Sequence, residues 1–127
     1  MKITTGIDLV SVDRIKQTIE KNERFMARFF GVDEQLFFES KKNEQNRVES
    51  VAANFAAKEA FSKAIGTGIR NFELNEVQIL RDELGAPYFA LSGKAKSICD
   101  ERGLQLSVSL SHTDQYATAV VIAYEII

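Results

Sequence analysis

AANFAAKEAFSKAIGTG, residues 52–68, reads as the second half of a long helix that begins near Gln45. Alanine is the strongest helix former, and Lys, Glu and Phe at these densities are compatible with it. Gly66 and Gly68 supply a stop, because a left-handed C-terminal cap favours glycine. Taking Glu59 as the reference direction, Val48, Ala52, Phe55 and Ala56 fall on the same side at three- and four-residue spacings. Glu59 therefore stands in an apolar stripe where a leucine is expected. A lone carboxylate there costs several kcal/mol or takes up a proton. Lys63, one turn on, is the nearest cation. On this helix alone the favoured reading is an ordinary surface i, i+4 pair worth a few tenths of a kcal/mol.

The other elements follow from periodicity. Residues 3–10 predict a strand with Ile3, Thr5, Ile7 and Leu9 on one face and Gly6, Asp8 and Val10 on the other. Both faces carry apolar groups, which predicts burial on both sides and puts Asp8 in an unfavourable place. Gly6 leaves room for a ligand or another backbone beside it. Ser11 or Asp13 caps an amphipathic helix predicted to run to Phe30, with Val12, Ile15, Ile19, Met26 and Phe30 on its apolar side. Arg14, Lys21, Arg24 and Arg28 share a different side. Four cations in one arc of a net acidic protein suggest a docking surface for an acidic partner, although such runs are often simply solvated.

Residues 33–38 predict a short helix with Leu36, Phe37 and Phe38 inward. Residues 40–46 are polar, with Lys41, Lys42 and Arg47 clustered about them. A strand in the second half of residues 72–80, a turn over 82–87 and a strand over 88–91 predict a hairpin. Ser92 caps a helix that Gly103 stops. Residues 106–110 predict a strand with Val108 and Leu110 inward. A turn over 111–115, containing His112, leads to a last strand over 116–124. Mixed elements with hairpin-like strand pairs predict an α+β fold: a mostly antiparallel sheet packed on one long central helix plus smaller helices.

Composition narrows the function. The 127 residues suffice for one domain with a real core, and 45% hydrophobic with 27% charged residues predicts a globular chain. A net charge of −2 argues against general nucleic-acid binding. Cys99 is the only cysteine, so there is no disulfide frame and no cysteine-based zinc site, which fits a reducing compartment. Asp8 interrupts the N-terminal apolar run where an export signal needs continuity, and residues 116–124 are far too few to span a membrane. There is no Walker phosphate loop and no GxSxG-type elbow.

Asp8 and Glu59, two carboxylates in unfavourable places, are the main chemical clue. Oxygen donors without a Cys or His cluster suit a hard cation such as Mg²⁺, which takes one or two carboxylates and completes its shell with water and substrate phosphates. Lys63 and the N–H groups of Gly66, Thr67 and Gly68 would lie near the same phosphates. His112, the only histidine, sits at a strand-to-turn junction of the kind that often borders a site.

These residues resemble a known family. Gly6-Ile7-Asp8 with Arg14-Ile15, then Phe55-Ala56-Ala57-Lys58-Glu59-Ala60 with Lys63-Ala64-Ile65-Gly66-Thr67-Gly68, then Ser109-Leu110-Ser111-His112, look like the bacterial holo-[acyl-carrier-protein] synthases. Order and spacing match along nearly the whole chain, and the motif set occurs once, as in the short branch of the phosphopantetheinyl transferases. The resemblance implies one domain over residues 1–127, of phosphopantetheinyl transferase fold. It implies transfer of the phosphopantetheine arm of coenzyme A to a serine of apo acyl carrier protein, leaving adenosine 3′,5′-bisphosphate. It also implies Asp8 and Glu59 as Mg²⁺ ligands and Lys63 as the cation that neutralises charge developing on the diphosphate, so that Asp8, Glu59 and Lys63 form the catalytic set. The serine proton would pass to Glu59 or to a metal-bound water. Arg47, Lys63, Gly66, Thr67, Gly68, Pro87 and His112 would bind coenzyme A, and the face bearing Arg14, Lys21, Arg24 and Arg28 would dock the acidic carrier protein. Members form cytoplasmic homotrimers with each site at a subunit interface. One departure stands out: many members carry Gly-Arg where this chain has Ala53-Asn54, and Lys41, Lys42 or Arg47 would have to supply the missing charge. A non-catalytic coenzyme A or carrier-protein binding module is the alternative, and it would be expected to lack Asp8, Glu59 or Lys63.

Overall fold

The chain runs β1 (Ile3–Ser11), α1 (Val12–Lys21), α2 (Phe25–Phe29), α3 (Val32–Glu39), α4 (Glu44–Ile65), a 3-10 turn (Leu74–Glu76), β2 (Val77–Arg81), β3 (Pro87–Leu91), α5 (Gly93–Arg102), β4 (Leu104–His112) and β5 (Tyr116–Glu125). The computed structural model describes residues 2–68 and 70–125. Among these, β1, β5 and β4 form an antiparallel sheet in that order, and β2 and β3 form a separate antiparallel hairpin. The α+β layout and the hairpin are as the sequence predicts.

Helix α4 organises the rest. Asn43 caps its start by accepting from the Asn46 N–H, and Gly66 closes it at φ 80°. Ala52, Ala56, Ala60 and Ala64 are buried on the side that meets Ala117, Ala119 and Ala123 of β5. Small groups on both surfaces let helix and sheet approach closely. Gly6 takes this furthest, because a Cβ there would lie 2.0 Å from the Ala60 carbonyl oxygen. Of the two neighbours that the glycine could have admitted, it is the α4 backbone that fills the space.

Several expectations need correction. The strand β1 is not buried on both faces. Ile3, Ile7 and Leu9 are 60%, 64% and 64% exposed, and Tyr116, Val120 and Ile122 of β5 continue this bare apolar surface. The predicted helix to Phe30 is two helices, because α1 ends at Lys21 and the chain turns before α2. The four cations therefore do not share one helical arc. Leu36 points outward, while Phe38 and the unforeseen Glu34 are buried. Ser92 makes no side-chain cap to α5. Glu76 does that work instead, accepting from the N–H groups of Lys94 and Ala95. His112 is the last residue of β4 rather than part of the turn.

Candidate active site

The close approach at Gly6 sets two residues farther along β1 beside α4. Asp8 shares the inward face of β1 with Gly6, two residues on, and Glu59 and Lys63 lie on the adjoining flank of the helix. Lys63 Nζ donates to the Ile7 carbonyl at 2.9 Å and stands 3.4 Å from Asp8 Oδ1. Lys63 thus bridges to Asp8 rather than pairing only within its own helix. Its side chain is 56% exposed and that of Asp8 19%. Glu59 is half-buried beside the alanine stripe, not within it. Burial, and then the charge of Asp8, hold its carboxyl above the usual carboxylate range, with Lys63 pulling the other way. Two carboxylates that repel each other, against one partly exposed ammonium, leave surplus negative charge in an oxygen-only donor set. That is the chemistry of a site for a hard cation. Among the described residues no three His, Cys, Asp or Glu side chains cluster. Two carboxylates still fit Mg²⁺, which needs no more from the protein when phosphates supply the rest.

Pro87 and His112 come together elsewhere. They line a cleft with Lys41 and Arg81 at the β4 edge of the sheet. His112 Nδ1 lies 2.8 Å from Glu49 Oε1 of α4. Asp8 pairs with Ala119, and His112 with Ala117, so both side chains lie on the inner sheet face but on opposite edge strands. Two strand spacings separate those edges, about 9.6 Å, with α4 lying between. The helix agrees, because Ser50 in the cleft and Glu59 are about 180° apart around it. Arg47 joins neither group. Its Nη2 donates to the Lys41 carbonyl at 3.0 Å, and it lines a different groove near Ile19 and Met26. Gly66 and Thr67 follow α4 at its opposite end. Arg14 and Lys21 share a groove along α1, whereas Arg24 precedes α2 and Arg28 lies over the Phe29 ring at 5.3 Å.

The sequence reading missed a buried polar network. Lys58, adjacent to Glu59 but turned to the other side, donates to Glu34 Oε1 at 2.6 Å and to the carbonyls of Leu74 and Val77. Asn54 Nδ2 donates to Glu34 Oε2 and to the Ile79 carbonyl. Burial pushes the Lys58 ammonium down to about 8 despite Glu34. One signal was available: Lys58 stands between Ala57 and Ala60 in an alanine-rich run that packs as core, where a lysine needs a buried partner.

Comparisons with known proteins give the family. The family model described as the 4′-phosphopantetheinyl transferase superfamily matches residues 4–121. This chain belongs to that superfamily. A holo-[acyl-carrier-protein] synthase of Alkaliphilus oremlandii is 46% identical over 93% of this chain and 95% of its own length. The crystal structure of a holo-[acyl-carrier-protein] synthase from Neisseria meningitidis superposes with TM-score 0.86 at 33% identity, over 96% of this chain and 98% of that one. A Helicobacter pylori synthase solved in complex with coenzyme A gives TM-score 0.80 at 33% identity, over 94% and 99%.

Proposed function

We propose that this chain transfers the 4′-phosphopantetheine of coenzyme A to a serine of apo acyl carrier protein. The observation that carries the reading is the convergence of Asp8, Glu59 and Lys63, fixed by the contact of Gly6 with the Ala60 backbone. The serine Oγ forms a bond to the phosphorus that bears pantetheine. The bridging P–O bond of the diphosphate breaks, and its electron pair leaves with adenosine 3′,5′-bisphosphate. Such reactions are catalysed mainly by positioning and charge stabilisation. Mg²⁺, held by Asp8 and Glu59, would when bound screen the diphosphate charge. Lys63, anchored on the Ile7 carbonyl yet largely exposed, can turn its remaining N–H donors to a diphosphate oxygen. Glu59, beside Asp8 and Lys63, is one protein group within the site that can accept the serine proton.

The same reading calls for more than one copy. The acids lie on one flank of α4 and the Pro87–His112 cleft on the other, so no short ligand touches both within one chain. A second copy docked on the bare outer sheet face would cover Ile3, Ile7 and Leu9 and could bring its cleft to the acid pair, as in a homotrimer. Arg14 and Lys21, exposed beside β1, suit an acidic carrier protein. Residues 1–127 would then form one transferase domain, and coenzyme A chemistry with a lone thiol fits the cytoplasm. No helix among the described residues is long and apolar enough to cross a membrane.

Intact-mass spectrometry of apo acyl carrier protein, incubated with this protein and coenzyme A, tests the reading. A phosphopantetheine increment that appears with Mg²⁺ and vanishes with chelator is expected. Tight coenzyme A binding without any increment would replace it with a non-catalytic binding module.

A further inference from the structure

The groove that Arg47 lines shares no residue with the Pro87–His112 cleft and holds none of Asp8, Glu59 and Lys63. It has about 250 Å³ and runs between α4 and the three helices before it. Its walls are sorted by polarity. Ile19 of α1, Met26 of α2, Phe38 of α3 and Val48 and Val51 of α4 line the apolar part. Phe38, Val48 and Val51 are buried, and Ile19 and Met26 are half-buried. Glu39, Glu44 and Arg47 line the polar part, where α3 gives way to α4. Along α4 the change follows from spacing. Glu44, Arg47, Val48 and Val51 recur three and four residues apart, so they share one helix face, charged in its first turn and apolar in its second.

The three charges are unmatched. Among the described residues none of Glu39, Glu44 and Arg47 has a salt-bridge partner, although all three line the same groove. Arg47 is half-buried and tied at one point, where Nη2 donates to the Lys41 carbonyl at 3.0 Å. A guanidinium carries five N–H donors in a rigid fork, so donors remain for an incoming acceptor. The Glu39 and Glu44 residues are exposed.

These features narrow the ligand by elimination. An anionic head alone would gain Arg47 but face two carboxylates. A cationic head alone would gain the carboxylates but face the guanidinium. A head that carries both signs can meet both. The volume falls below the roughly 300–1,000 Å³ of sites for drug-sized ligands, so the body behind the head is short. We propose that this groove binds a free α-amino acid with a large apolar side chain, such as leucine, methionine or phenylalanine. Its carboxylate takes the remaining donors of Arg47, its ammonium lies toward Glu39 and Glu44, and its side chain enters the apolar part. Because the groove joins α1 and α2 to α3 and α4, an occupant would brace the helices that carry Arg14 and Arg28. The site uses none of the acid pair or Lys63, so it stands or falls separately from the transferase reading.

Calorimetry on the full chain tests it. L-leucine, L-methionine and L-phenylalanine should bind saturably. Glycine lacks the apolar body, N-acetyl-leucine lacks the ammonium and leucine amide lacks the carboxylate, and each should bind roughly tenfold or more weakly than leucine. Arg47→Gln should weaken leucine roughly tenfold and leucine amide far less, because the amide offers no carboxylate to the guanidinium. A merely unfolded variant would lose both alike. Glu44→Gln, at an exposed position, should reduce the preference for leucine over N-acetyl-leucine and keeps the test open should Arg47→Gln misfold. No saturable binding of any of the three amino acids would overturn the proposal. Equal affinity for leucine and its two single-charge analogues would overturn it too, because it would leave only unspecific packing in an apolar groove.

Discussion

Lys58 and Glu59 are neighbours in the chain and opposite in use. Lys58 turns into the protein, where its side chain and that of Glu34 are fully buried and 2.6 Å apart. Each polar atom of that network has a partner, and no buried side-chain nitrogen or oxygen among the described residues is left without one. Glu59 turns to the β1 edge, where two carboxylates share a half-open site and the only close ion contact, Lys63 to Asp8, is 3.4 Å long. The first arrangement fixes α3, α4 and the hairpin to one another. The second leaves carboxylate charge without a close partner, which is what holding a hard divalent cation would require. Adjacent residues on one helix thus separate architecture from chemistry by direction alone.

The largest effect should fall on the architectural side. Lys58→Met leaves Glu34 buried without its counterion, and breaking one partner of a buried pair destabilises by about 3–5 kcal/mol. Urea unfolding should show that loss, and combining Lys58→Met with Glu34→Gln should recover much of it. A Lys58→Met protein as stable as wild type would end the distinction between the two sites. On the other side, Glu59→Gln should lower the transfer rate by roughly a hundred- to a thousandfold, the range for losing a group that stabilises transition-state charge. The same variant should be no less stable than wild type, because it relieves the repulsion with Asp8. Loss of rate together with loss of stability would mean that Glu59 is structural after all.

Legibility in the sequence follows the same division. Gly6, Asp8, Glu59 and Gly66 were readable because each breaks a local pattern: glycine in a strand, carboxylate among apolar neighbours, glycine after a helical run. The Glu34–Lys58–Asn54–Arg81 network broke none. Its members are separated by 20 or more residues, apart from Asn54 and Lys58 one helical turn apart, and only the folded chain joins them. The outer face of β1 misled for a related reason. Ile3, Ile7 and Leu9 read as buried because they are apolar, and within one chain nothing covers them. Periodicity reports that a face wants cover, not which molecule supplies it.

Lys63→Gln sharpens the contrast at smaller amplitude. Its contact with Asp8 is long and solvent-screened, so stability should change by less than about 0.5 kcal/mol. Transfer should fall roughly tenfold, because a solvent-exposed cation next to the diphosphate contributes less than a buried one. A matched fall in stability would place Lys63 with Lys58, as a brace and not a participant.

The smallest effect should come from the rim. Arg14 is exposed on α1, capped by Ser11, whose side chain accepts from the Arg14 N–H. Reversing its charge with Arg14→Glu touches neither the Glu34 network nor the acid pair. Exposed charges mainly steer encounter, so the expected change is a several-fold rise in KM for the carrier protein at low salt, with coenzyme A affinity unaffected. Raising ionic strength shortens the screening length to a few ångströms and should bring mutant and wild type together. Arg28→Glu provides the internal control, because its guanidinium lies over Phe29 on α2, beyond the break after Lys21. An equal, salt-sensitive effect of both reversals would restore the single basic face that the continuous-helix reading expected. A larger effect at Arg14 would confine docking to α1 and the adjoining edge of β1, the strand that carries Asp8.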